Sequence, residues 1–331
     1  MRSTSELHAH LLPAARGPLS DAVIIALSSD PEDRVELPEP DTTVDPFGHD
    51  LQLTLYICYE LHYQGFSTVD DSWEWQPDLL RLRAQLERLF LAELRVRIAP
   101  GDDAVGEMDA LAIEPKTGTG PSWHLFEQGT WAQMQEYFMH RSLYHLKEAD
   151  PHAWAIPRLT GQSKASFVAV EFDEYGGGRG DRIHAQLFAD LLDAADLDST
   201  YLGYIDQVPA ETLMLVNLMS MFGLHRALRG AAVGHLAATE ITSSPGSKRL
   251  VQALVRLGAP APCLQFYQEH VHADAVHELV LRTDVVGDLL AREPSLAADV
   301  VFGIRAFGFV EDRFAEHVMS AWSSGRTSLL R

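Results

Sequence analysis

Residues 266–281 read FYQEHVHADAVHELVL. Within them His270, Asp274 and His277 stand at i, i+4 and i+7, the spacing that returns side chains to one face of an α-helix. That face is otherwise apolar, with Phe266 one turn before the triplet and Leu281 one turn after it. Such a helix aims two imidazoles and a carboxylate at a core, where polar groups without partners are costly. For one histidine alone, a buried His–Asp hydrogen-bond cluster would be the expectation. With three groups in register the expectation is a metal, because neutral imidazole and carboxylate are donors that suit iron and zinc.

Helical spacing dominates on either side of this stretch. HDLQLTLYICYELHYQGF, after Gly48, and PDLLRLRAQLERLFLAELRVRI, opened by Pro77, predict two antiparallel helices. The second places Leu79, Leu82, Leu86, Phe90 and Leu94 three and four residues apart. Further helices are expected over about 129–149, 153–175, 181–197, 209–243 with a break, 246–257, 260–283 and 295–323. Asp-Pro, Gly-Gly-Gly, Val-Pro and Ser-Pro-Gly punctuate them. Residues 19–48, dense in Pro and Asp, predict a loop. EYGGGRG at 174–180 and the glycines near 118 lack a preceding strand and a Walker lysine, so they read as turns rather than phosphate loops. Strand alternation is almost absent, and the fold class is all-α. The Gly-, Pro- and Asp-rich stretch 100–125 sets a boundary between an N-terminal helical region, 1–125, expected to dimerise or to cover a pocket, and a main domain, 126–331.

A chain of 331 residues can bury a sizeable core. Its formal charge of -21 would repel a phosphate backbone, so nucleic acid is not an expected partner. Cys58 and Cys263 each sit in an apolar stretch, away from any paired spacing, which argues against a disulfide framework and a thiolate metal site. No apolar run approaches the roughly 18 residues of a membrane helix, and the N-terminus lacks a signal-peptide core. A cytoplasmic protein is expected.

Other acids and histidines also face inward by spacing. Glu174 follows Phe167 and Val170; Glu240 follows Leu236 in a stretch of small apolar residues; His184 shares its side with Leu187 and Leu191. Glu148 shares a face with Tyr144 but competes with His145 and His152. Each alone is more often a satisfied core residue than a ligand, yet together they fit a bundle whose facing helices build a carboxylate-rich nest for two metals. Glu171 rivals Glu174 one turn away. Glu269 and His272 have the Glu-x-x-His spacing of ferritin-like sites but fall on other sides of the triplet, and no second copy appears. Glu60 and His62 could line a pocket, although helix packing with local hydrogen bonds explains them better.

The order Glu148, Glu174 with His184 ten residues on, Glu240, then His270-x3-Asp274-x2-His277 resembles the heme-oxygenase-like di-iron oxidase and oxygenase family over about residues 125–325. The resemblance implies a heme-oxygenase-like seven-helix bundle, here with an N-terminal helical extension, that uses two non-heme irons and O2. It implies that Glu148, His184 and His270 hold one iron, that Glu174, Asp274 and His277 hold the other, and that Glu240 is a seventh, mobile ligand. The extra carboxylate and the ten-residue step look like the amine N-oxygenating branch. The expected activity is therefore O2-dependent oxidation of an amine, amino-acid or guanidine nitrogen in specialised metabolism, with an external electron donor and a homodimeric assembly. An oxidative lyase, desaturase or decarboxylase of the same fold, and a non-catalytic metal- or heme-binding helical protein, are the alternatives.

Overall fold

The computed structural model describes residues 10–33, 36–41 and 43–330, apart from the side chains of residues 272, 274 and 275. Among the described residues there is no strand, and the all-α expectation holds. The N-terminal part contains α1 (Pro18–Leu27), α2 (His49–Glu60), α3 (Pro77–Arg97), α4 (Ala104–Leu111) and α5 (Pro121–Glu127). Then come α6 (Trp131–His145), the short α7 (Asp150–Ala153), α8 (Gly161–Glu174), α9 (His184–Ala194), α10 (Ala210–Leu224) and α11 (Arg229–Leu257). α12 (Ala261–Val280) passes through a π-helical segment, Leu281–Gly287, into α13 (Asp288–Arg292), and α14 (Ala297–Ser323) closes the chain.

Local chemistry explains most boundaries. α3 starts at Pro77, whose missing N–H costs nothing in the first turn, while the Gln76 side chain accepts from the amides of Asp78 and Leu79. Its five predicted apolar positions are all buried. Thr130 and Gln133 cap α6 reciprocally. Every residue of α10 from 212 to 223 is buried, the mark of a helix at the centre of a bundle, and α2, α6, α7, α11 and α14 pack around it. Gly230, Ala231, Ala232, Gly234, Ala237 and Ala238 give α11 a narrow face. There α14 crosses so closely that a Cβ on Gly234 would lie 2.1 Å from the Val300 carbonyl oxygen, and one on Gly303 2.1 Å from that of Ala231.

Three expectations are corrected. The loop predicted over 19–48 begins only after α1, because the Asp50 carboxylate reaches back from α2 to accept from the Leu19 and Ser20 amides at 2.9 and 2.8 Å, a long-range N-terminal cap. Ser-Pro-Gly at 244–246 does not end a helix. α11 runs through Pro245, and packing against α4, α5 and α12 offsets a penalty of roughly 3 kcal/mol. The helix predicted from 153 starts at Gly161, after α7 and a 3-10 turn at Ile156–Arg158. The break expected within 209–243 falls at His225, in extended conformation. No helix is long and apolar enough to cross a membrane among the described residues.

Candidate metal centre

Four parts of the bundle bring ligand-type side chains together. Glu148 lies in the turn after α6, where its amide still reaches the His145 carbonyl at 3.4 Å and Ala149 then turns the chain at φ 77°. Glu174 is the last residue of α8 and His184 the first of α9. Between them Gly176, Gly177 and Gly178 take positive φ and fold the chain back on itself, so the ten-residue step leaves Glu174 Oε2 2.7 Å from His184 Nδ1. Glu240 comes from α11. His270 and His277 come from α12 and face inward as their spacing predicts.

These side chains form two groups. Glu148, Glu174, His184 and His270 have donor atoms all within 4.8 Å of one another, and so do Glu174, Glu240 and His277. Glu174 belongs to both. The resemblance places it with Asp274 and His277; the fold of the glycine turn also sets it beside His184. All six residues are buried, the carboxylates 6% exposed each. The side chain of Asp274, expected as a further ligand, lies outside the described residues.

Three buried carboxylates this close repel one another unless cations or protons intervene. Burial works to lower the His277 imidazole, but its hydrogen bond to Glu240 and the charges of Glu240 and Glu174 hold it at about 9. Burial likewise opposes charge on His184, and Glu174 more than offsets it, raising this group as well. Burial pushes the Glu240 carboxyl up against the pull of His277. Burial also opposes ionisation of Glu148, yet the neighbouring His145 and His270 hold it well below the usual carboxylate range. The groups thus share protons that a metal would displace.

The donor geometry fits a metal. His270 Nδ1 is 2.8 Å from the Phe266 carbonyl, which can only accept, so Nδ1 carries a proton and, in the neutral ring, the Nε2 lone pair faces Glu148 Oε1 at 3.4 Å. A lone pair facing a carboxylate is reconciled by a cation between them. His184 Nδ1 lies close to Glu174 yet out of hydrogen-bonding alignment, and the buried Glu148 Oε2 has no hydrogen-bond partner among the described residues. At the second group, Asp173 Oδ2 is 3.3 Å from His277 Nε2, leaving Nδ1 toward Glu240 and Glu174 at 3.2 and 3.5 Å.

A cavity of about 480 Å³ adjoins the first group, and Glu148, His145 and His270 line it. Leu215, Val216, Met219 and Phe307 supply apolar wall, while Thr239 and Ser243 add hydroxyls. Arg141 also lines it, held by two parallel 2.7 Å bonds to Glu311.

The remaining candidates separate cleanly. Glu171 is buried, its Oε2 without a hydrogen bond among the described residues and its carboxyl pushed well up by burial and by Glu174, Glu240 and Asp150, but it joins neither group. Glu269 faces outward and pairs with Arg182 at 3.1 Å; the side chain of His272 lies outside the described residues. His62 bonds Glu74 and Arg83, and Glu60 bonds Lys147 and Tyr201; neither lines the cavity. His145, which competes with Glu148 in the sequence, puts Nδ1 3.0 Å from Glu148 Oε1, whereas His152 pairs with His235 at 3.1 Å. Asp173, which meets His277 Nε2, carries no signal in the sequence beyond its place next to Glu174.

No curated protein matches the chain. A family model described as iron-containing redox enzyme matches residues 135–311, a span that includes every residue of both groups.

Proposed function

The chain belongs to the iron-containing redox enzyme family, of heme-oxygenase-like all-α fold, and from that premise we propose that it is an O2-dependent non-heme di-iron N-oxygenase acting on a small amine, amino acid or guanidine. The observation that carries this reading is the pair of buried acid and histidine groups joined through Glu174, with Glu240 as an additional carboxylate beside His277. In it Glu148, His184 and His270 hold one iron, and Glu240, His277 and Asp274 the other, with Glu174 within reach of both.

When bound, two ferrous ions supply electrons that make dioxygen able to oxidise an amine nitrogen. The chain's own part is orientation and exclusion of water. Phe266 O keeps the His270 ring proton away from the centre, and Asp173 does the same for His277. The apolar wall of Leu215, Val216 and Met219 disfavours an ammonium ion and favours the neutral, nucleophilic amine. Thr239 and Ser243 offer hydroxyls that orient a polar substrate beside Glu148. Electrons for the next turnover come, in this reading, from a donor outside the chain.

The test is to load the protein with ferrous iron without oxygen, count the metal, and then expose it to isotopically labelled dioxygen with a panel of amines. We expect two irons per chain and a product carrying labelled oxygen on nitrogen. A product fragmented or desaturated with no oxygen on nitrogen would transfer the reading to the lyase or desaturase class. One zinc and no consumption of oxygen would defeat both.

A further inference from the structure

The Lys147 ammonium is almost completely enclosed, although it stands next in sequence to Glu148, which faces the opposite way into the metal centre. It contacts Glu60 Oε2 on α2, and both side chains are at most 1% exposed. Three tyrosine rings surround it, with Tyr56, Tyr63 and Tyr201 centroids at 4.5, 4.7 and 5.7 Å. The cage is itself tied down. Tyr201 donates to Glu60 Oε1 at 2.7 Å, Tyr63 donates to the Ser220 hydroxyl of α10 at 2.9 Å, and the Tyr56 hydroxyl lies 3.4 Å from the Leu143 carbonyl of α6.

Between the cage and the metal centre runs a single strained turn. α6 has ended at His145, so Glu148 is no longer held by a regular helical ladder, and the hydrogen bond its N–H donates to the His145 carbonyl is long, at 3.4 Å. Ala149 then takes φ 77°, a conformation a residue with a Cβ holds only when its surroundings impose it. The caged Lys147 side chain, desolvated among aromatic rings and paired with a buried carboxylate, anchors one side of this turn, and Asp150, bonded to Tyr175, the other.

We propose that Glu60 is a positioning residue for the metal centre, holding the Glu148 carboxylate in place through Lys147. The proposal rests on reading Glu148 as a ligand. It gives α2, which lies outside the matched segment 135–311, a direct part in building the site.

Ferrous iron titrated without oxygen into the full chain, followed by calorimetry, separates the possibilities. Glu148→Gln is expected to remove one of two binding steps. Glu60→Gln, nearly the same shape, is expected to weaken that same step about tenfold, in line with loss of a supporting partner, and to leave the other step and the circular dichroism spectrum unchanged. In the Glu148→Gln background, Glu60→Gln should have no further effect on metal binding. Should Glu60→Gln fail to fold, the Glu60→Gln, Lys147→Met pair, which removes both charges together, carries the same test with the same expected loss. Equal weakening of both steps, an effect that adds to that of Glu148→Gln, or no change at all would overturn the proposal while leaving the ligand reading intact. If Glu148→Gln leaves both steps in place, the ligand reading fails and the proposal falls with it.

Discussion

The two acid-and-histidine groups share α8 and α12 but are supported differently. His270 is held from inside the core: its outer nitrogen donates to the Phe266 carbonyl, and its ring packs against those of Phe266 and His184 at 4.4 and 4.5 Å. His277 leans on the surface. Its outer nitrogen is met by Asp173, whose side chain is 60% exposed, and its inner nitrogen is shared by Glu240 and Glu174. A partner in water is screened and free to rotate away, whereas a backbone carbonyl is not. His270 is thus held rigidly in place by the fold itself. His277, protonated among carboxylates and met by an exposed acid, is held less firmly.

This difference makes the two groups separable by experiment. The largest effect is expected from His270→Ala, which should remove the tighter-binding iron and with it turnover. Metal analysis beside an activity assay should show a loss exceeding the roughly 10–100-fold in affinity that an outer partner contributes. Asp173→Asn comes next, weakening the second iron about tenfold while sparing the first; equal losses at both groups would erase the contrast. The smallest effect concerns the cavity wall and its surroundings. Burial holds His140 down at about 3, with the charges of His317 and Arg141 lowering it further, and burial also holds His152 at about 4, where Glu148 opposes it. The unfolded chain takes up these protons near pH 6.5 and the folded chain only near those lower values. Stability from these groups is therefore complete above about pH 6.5 and lost as pH falls toward 4, by about 1.4 kcal/mol per pH unit for each. Denaturant midpoints followed from pH 7 to 4 should show that slope, and His140→Gln should reduce it by one proton.

What could be read from the sequence was whatever repeats along a helix or turns locally. The period of the α12 triplet placed His270 and His277 correctly on the inner face, and the glycine run between Glu174 and His184 announced a turn that brings them together. Glu148 was ambiguous because it lies past the end of α6, where helical spacing stops carrying information. Its neighbour Lys147 could not be understood at all without α2, whose Glu60 is 87 residues away in the chain. Arg141 and Glu311 meet across 170 residues. α1 is held by a carboxylate 30 residues downstream, and Pro245 is tolerated because neighbouring helices hold both sides of α11. Each of these depends on tertiary packing, which no single-helix pattern encodes.

The crossing of α11 and α14 at Gly234 and Gly303 has a mechanical meaning. Two helices normally meet through interleaved side chains, a layer that can shift rotamers and absorb small displacements. Here backbone rests on backbone, so the contact is a fulcrum without a cushion. Both helices go on from it to line the cavity, α11 carrying Thr239 and Ser243 and α14 carrying Phe307 and Glu311. A tilt about this point would therefore move the α11 and α14 walls of the cavity, and Glu240 on α11, together.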